Sequence, residues 1–97
     1  MENVTSATTP TRRAGVIAQP LKPGDSTLVL LNPKNGEYYT LEEVGSRIWQ
    51  LCDGKHTIAE MATVLSQEFA ASPEAIERDV LDLMKDLLHE GLVEGGH

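Results

Sequence analysis

The apolar residues of this chain change their period once, near residue 41, and that single change confines the chain to an α+β architecture. Before it, Thr27-Leu28-Val29-Leu30-Leu31-Asn32 is short, almost wholly apolar and bounded by Gly24-Asp25 and Pro33, which selects a buried strand over a helix. Asn32-Pro33-Lys34-Asn35-Gly36 then supplies Pro to preset a turn and Gly to accept positive φ. Glu37-Tyr38-Tyr39-Thr40 follows with the aromatics and Thr of a second strand, completing a β-hairpin. Upstream, residues 14–19 form a short apolar run ended by Pro20, which brings no N–H to a ladder and so predicts an edge strand.

Beyond the hairpin the spacing is helical. Thr40 and Glu43 stand at capping-box distance, and Leu41, Val44, Ile48 and Leu51 recur on one face until Gly54. A second box, Thr57 with Glu60, opens a helix whose apolar face is Ile58, Met61, Ala62, Leu65 and Phe69. Ser72 as N-cap and Pro73 at the first helical position start a third, with Ile76, Val80, Leu83, Met84 and Leu87 inward and Gly91 beyond its end. Leu92-Val93 predicts a last extended segment. The expected fold is a three-stranded antiparallel sheet packed on three helices, and the second and third helices beside a hairpin give it a winged helix-turn-helix likeness.

A chain of 97 residues holds one core, and with only 4% aromatic residues that core must be aliphatic. Residues 1–13, rich in Ser, Thr and Asn, predict a disordered tail, residues 14–94 the domain, and residues 95–97 a short C-terminal tail. No apolar run approaches the roughly 20 residues that span a bilayer, and residues 1–13 lack the apolar stretch of a signal peptide. The lone Cys52, beside Leu51 in the first helix, cannot staple the fold and reads as a buried thiol of a cytosolic protein.

Charge narrows the partners. The net charge is −7, and it is uneven: four basic against three acidic residues in 1–41, four against twelve in 42–97. The third helix carries Glu74, Glu77, Asp79, Asp82, Asp86 and Glu90 against Arg78 and Lys85, so phosphate would repel it. Nucleic acid and anionic membranes are poor partners for such a surface. A winged-helix DNA-binding regulator, the alternative reading, would depend on Arg12, Arg13 and Lys34 alone. His56, His89 and His97 share no metal-ligand spacing, and the chain has no phosphate loop, nucleophile elbow or Cys-His pairing. The residues therefore predict a binding module without metal, cofactor or catalysis.

Two features suggest what it binds. Tyr38 and Tyr39, as neighbours in a strand, face opposite sides of the sheet. At 100° per residue, Asp79, Asp82 and Asp86 line one flank of the third helix's apolar stripe while Leu81 and Leu88 widen the other. Acidic helix faces are ordinarily solvated surface, and such a face also suits an interaction subunit for a folded protein. A flank bordering the open hairpin edge, however, makes a cleft that takes an extended peptide by backbone pairing.

The string Leu30-Leu31-Asn32-Pro33 to Gly36-Glu37-Tyr38-Tyr39-Thr40-Leu41, then Gly45-Ser46-Arg47-Ile48-Trp49-Gln50-Leu51-Cys52-Asp53-Gly54 and Thr57-Ile58, resembles the PqqD family. Asp79-Val80, Leu83, Leu87 and Gly91-Leu92-Val93 extend the likeness, which covers about residues 14–94. The resemblance implies a recognition element for ribosomally made, post-translationally modified peptides, on which the precursor's leader segment adds as a strand beside the third strand and rests on the third helix. The implied contacts are Glu37, Tyr38, Tyr39, Thr40 and Leu41 on the strand and Asp79, Val80, Leu81, Met84 and Leu88 on the helix. The implied partners are the leader peptide and a processing enzyme, either a radical SAM enzyme or the leader peptidase of a lasso-peptide cluster. The polar N-terminus and the Tyr-Tyr strand resemble the lasso type. The unusually acidic third helix would favour a leader with Lys or Arg beside its apolar anchors.

Overall fold

The computed structural model describes residues 4–96. Five strands and three helices follow in the order β1 (Thr9–Arg12), β2 (Ile17–Pro20), β3 (Leu28–Asn32), β4 (Glu37–Leu41), α1 (Glu43–Leu51), α2 (Ile58–Glu68), α3 (Pro73–His89) and β5 (Val93–Gly96). β2, β3 and β4 form an antiparallel sheet with β3 in the middle, and β1 pairs with β5 in a second, two-stranded sheet. The architecture is the α+β arrangement of three strands on three helices that the sequence predicts. Its winged-helix likeness is loose, because the β3–β4 hairpin precedes the helices whereas the strand after α3 returns to β1.

The core lies between the inner face of the sheet and the helices. Leu30 on β3, Ile48 and Trp49 on α1, Ile58, Met61 and Leu65 on α2, and Val80, Met84 and Leu87 on α3 are all buried. The local signals account for α2 and for the start of α3. Thr57 and Glu60 form the reciprocal capping box, with the Glu60 N–H donating to Thr57 Oγ1 at 3.1 Å and the Thr57 N–H to Glu60 Oε1 at 2.7 Å. Pro73 occupies the first turn of α3, where its missing N–H costs nothing. Ser72 is the N-cap residue, but its hydroxyl donates to the Glu74 carboxylate at 2.7 Å instead of accepting from the helix.

Two expectations are corrected. The Thr40–Glu43 capping box does not form: α1 starts at Glu43 with Glu42 as N-cap, because Thr40 and Leu41 stay in β4 opposite Val29 and Leu28. The stretch expected to be a disordered tail contributes a strand. Thr9–Arg12 pairs with Val93–Gly96, Thr9 opposite Gly96 and Arg12 opposite Val93, and Pro10 is fully buried. Gly95 and Gly96, expected in the C-terminal tail, therefore belong to the ladder, while residues 1–3 and 97 lie outside the described residues.

β1 also straps the α1–α2 turn. The N–H groups of Gly54 and Ile58 donate to the carbonyls of Pro10 and Thr8 at 2.9 and 3.0 Å. Gly54 has φ +78°, and a Cβ there would meet Thr11 Oγ1 at 2.6 Å, so only glycine fits beneath the strap. The Arg12 guanidinium donates to the Trp49 and Gln50 carbonyls at 3.0 and 2.9 Å. It thereby serves the orphan carbonyl end of α1, which has no basic residue in its own last turn. Arg12, one of the three basic residues a DNA-binding reading would need, is engaged in the fold.

Candidate functional site

The register of the hairpin decides which side chains of β4 face the helices. Leu28, Leu30 and Asn32 stand opposite Leu41, Tyr39 and Glu37, and Leu30, Asn32 and Leu41 are buried. The alternation therefore turns Glu37, Tyr39 and Leu41 towards the helices, and Tyr38 and Thr40 to the other face. Tyr38 is 70% exposed.

β4 is fixed at both ends. At the turn end, Asn32 Nδ2 donates to the Glu90 carbonyl at 3.2 Å while Asn32 Oδ1 accepts the Lys34 N–H at 3.1 Å, which joins the hairpin to the end of α3. Gly91, at φ +72°, lets that junction close, since a Cβ there would sit 3.4 Å from Asn32 Nδ2. At the other end, Ser46 Oγ on α1 lies 3.2 Å from the Leu41 carbonyl and 2.7 Å from that of Ser26. Between these anchors β4 pairs with β3 alone. Its outer edge has no strand partner among the described residues.

The sheet's other border, β2, is exposed at all four positions and ends in Pro20. Proline on an edge removes a donor and protects the edge from further pairing. β4 contains no proline and has a helix beside it. The side-chain contact between β4 and this helix is made by Tyr39, whose hydroxyl donates to Asp86 Oδ2 at 3.4 Å. Burial first, and then the negative charge of Asp86 and Glu90, raise the Tyr39 pKa above its usual value, so the phenol keeps the proton it donates.

That contact shows which flank of α3 accompanies β4. Asp79, Asp82, Leu83 and Glu90 lie within about 60° of Asp86 around the helix axis. Leu81 and Leu88 lie roughly 140° and 160° away from it. The acidic flank therefore borders the strand edge, together with Leu83, which is half-buried against the core. Of the helix positions expected to touch a peptide, only Asp79 is on this flank and exposed. Val80 and Met84 are core residues with 0% exposure, and Leu81 and Leu88 are packed on the far flank. Leu41, expected at the site, is 3% exposed and its side chain belongs to the core. Asp86, which touches Tyr39, and Asp82 and Leu83, which share its flank, are not in the expected set, and their signal in the sequence was their angular position alone.

Among the described residues no cluster of His, Cys, Asp or Glu could hold a metal ion. Cys52, placed as a buried thiol, is the C-cap residue of α1 at 0% exposure, and its Sγ lies 3.3 Å from the Ile48 carbonyl. Burial, only partly opposed by Arg12, pushes its pKa up to about 12. Native protein at pH 8 should therefore resist iodoacetamide for hours and react within minutes once unfolded in guanidinium, as read by intact mass. His56 Nδ1 lies 3.0 Å from Asp53 in the α1–α2 turn, and His89 is exposed in the last turn of α3. No helix of the described residues is long and apolar enough to cross a membrane.

Residues 27–93 match the family described as Coenzyme PQQ synthesis protein D (PqqD). The PqqA binding protein of Xanthomonas euvesicatoria pv. vesicatoria (strain 85-10) is 34% identical over 90 residues, 93% of this chain and 94% of that protein. The Bifunctional coenzyme PQQ synthesis protein C/D of Methylorubrum extorquens is 30% identical over 66 residues, 68% of this chain but 17% of that much longer protein. Among solved structures, TbiB1 in complex with the TbiA(beta) leader peptide is similar at a TM-score of 0.76 and 29% identity, covering 90% of this chain and 98% of that one. The solution structure of the PqqD truncation of Methylobacterium extorquens PqqCD, described as a functional and stand-alone recognition element, is similar at a TM-score of 0.79 and 25% identity, covering 95% of each chain.

Proposed function

The chain belongs to the PqqD family, and from that membership we propose that it binds the leader segment of a ribosomally made precursor peptide as an added β-strand and presents it to a processing enzyme. The observation that carries this reading is the outer edge of β4: five residues of strand, anchored at both ends, unpaired among the described residues and flanked by α3. Such an edge offers a guest its backbone donors and acceptors, and the alternating side chains of the guest supply specificity. Side chains that the guest points inward would meet Tyr39, Leu83 and the acidic flank of Asp79, Asp86 and Glu90, which favours an apolar residue near a Lys or Arg. Tyr38 and Thr40 contribute through their main chain, and their side chains stay on the outer face.

In this reading the protein acts in the cytosol without chemistry of its own. The solved relatives that carry a bound leader peptide support the peptide-binding reading. Processing by a leader peptidase and by a radical SAM enzyme are both compatible with a recognition element of this kind. The test is an amide-shift titration of isotope-labelled protein with the leader segment of a candidate precursor peptide. Shifts should concentrate in residues 37–41 and on the α3 flank from Asp79 to Glu90. Shifts confined to β2, or to β1 and β5, would refute the site.

A further inference from the structure

Asp86 stands beside the middle of β4 as an exposed carboxylate that the protein itself hardly satisfies. Its side chain takes one hydrogen bond among the described residues, from the Tyr39 hydroxyl at 3.4 Å, against roughly 2.5–3.0 Å for a well-formed bond of this type. Asp79 and Asp82 share its flank and are exposed, and none of the three makes an ion pair among the described residues. The basic residues of α3, Arg78, Lys85 and His89, lie roughly 80°, 100° and 60° from Asp86 around the axis, on the side turned away from the core.

β4 and α3 run in opposite directions with matched steps. Asn32, opposite Glu37, meets the Glu90 carbonyl, and Tyr39 meets Asp86. Two strand residues advance roughly 6.8 Å and four helical residues about 6 Å, so each inward position of β4 has one turn of α3 beside it. The step after Tyr39 and Asp86 is therefore Leu41 with Asp82 and Leu83, and Leu83 is half-buried against the core. A strand added roughly 4.8 Å beyond β4 places its inward side chains beside Tyr39 and Leu41 in turn. The first meets an aromatic ring and a carboxylate, the second an aliphatic surface. A cation is the group that a tyrosine face and a carboxylate both attract, and the aliphatic stem of Lys or Arg packs on the ring.

We propose that Asp86, with Tyr39 beside it, is the specificity-determining residue of this edge, and that it selects a guest with Lys or Arg at one inward position and an apolar residue two positions away. The proposal rests on the peptide-binding reading above and narrows it to one side chain. In the empty protein the Tyr39 hydroxyl occupies the carboxylate through its long hydrogen bond. The cation of the guest takes that place and forms the shorter, charge-assisted bond.

The experiment uses the full chain and a fluorescein-labelled leader segment of a candidate precursor peptide, with versions in which each Lys or Arg in turn is replaced by Glu. By fluorescence anisotropy, Asp86→Asn should bind the unaltered leader about tenfold more weakly than wild type, and Asp86→Lys about 30-fold. One charge-exchanged leader, and only one, should lose a similar factor with wild type and regain at least about tenfold with Asp86→Lys. Glu74→Lys makes the same change of charge in the first turn of α3, away from the contact with β4, and should stay within about threefold of wild type. Melting temperatures of the Asp86 variants should match wild type within a few degrees, because the side chain is exposed. Unchanged affinity in both Asp86 variants, or a loss that no charge-exchanged leader restores, overturns this inference and leaves the peptide site standing. A leader that binds wild type through a segment without Lys or Arg does the same. Wild-type protein that binds no leader overturns both readings.

Discussion

Truncating Leu30 to alanine is expected to cost about 3 kcal/mol of stability and to lower the melting temperature on the order of 15 °C. Leu30 lies on the central strand with 0% exposure, facing the helical layer and standing opposite Tyr39 on β4. Its loss leaves a cavity that the sheet cannot collapse into, because β3 is held by β2 on one side and β4 on the other. A domain of this size has only about 5–10 kcal/mol in total, so the loss is a large share. Its neighbour Leu31 points to the open face and is half-buried, so Leu31→Ala should cost only about 1 kcal/mol. Urea and thermal denaturation of the two variants measure the contrast. Equal losses would mean that the outer face is covered as well.

The second large effect concerns the guest and not the host. In an added strand, every other peptide amide points at β4, and the intervening amides point to solvent. N-methylation of two amides of the first set removes two donors and leaves their partner carbonyls facing methyl groups. Affinity for the leader should fall about 100-fold, at 1–3 kcal/mol for each lost bond. Methylation of the intervening set should change it less than threefold. An alternating pattern of this kind is the signature of strand addition, whereas a leader bound as a helix or by side chains alone would show no period of two. Fluorescence anisotropy with the two methylated peptides reads it directly.

The hairpin and the helices were legible because their signals are local. Pro33 to Gly36 forms the turn, Thr57 and Glu60 the capping box, and Pro73 starts α3. The pairing of β1 with β5 was not legible. Its strands, Thr-Pro-Thr-Arg and Val-Glu-Gly-Gly, lack an apolar alternation and join opposite ends of the chain, so only the assembled fold brings them together. The start of α1 failed for a related reason: Thr40 carries both a strand and a cap signal, and pairing with Val29 prevailed. Helical periodicity separated two flanks of α3 but carried no information about which one meets the sheet. The Tyr39–Asp86 contact decides that: the acidic flank with Leu83, and not the flank of Leu81 and Leu88, accompanies β4. The burial of Val80 and Met84 follows from the same stripe that predicted the helix, so their place in the core was readable while a role in peptide contact was not.

The central claim is that β4 accepts a guest strand on its outer edge. Isotope-edited nuclear Overhauser measurements on the leader complex test it most directly. The account predicts interstrand contacts between peptide α-protons or amides and residues Glu37–Leu41, with the corresponding β4 amides newly protected from exchange. Interstrand contacts to Ile17–Pro20, or a bound peptide that touches α3 and leaves the β4 amides unprotected, would contradict it.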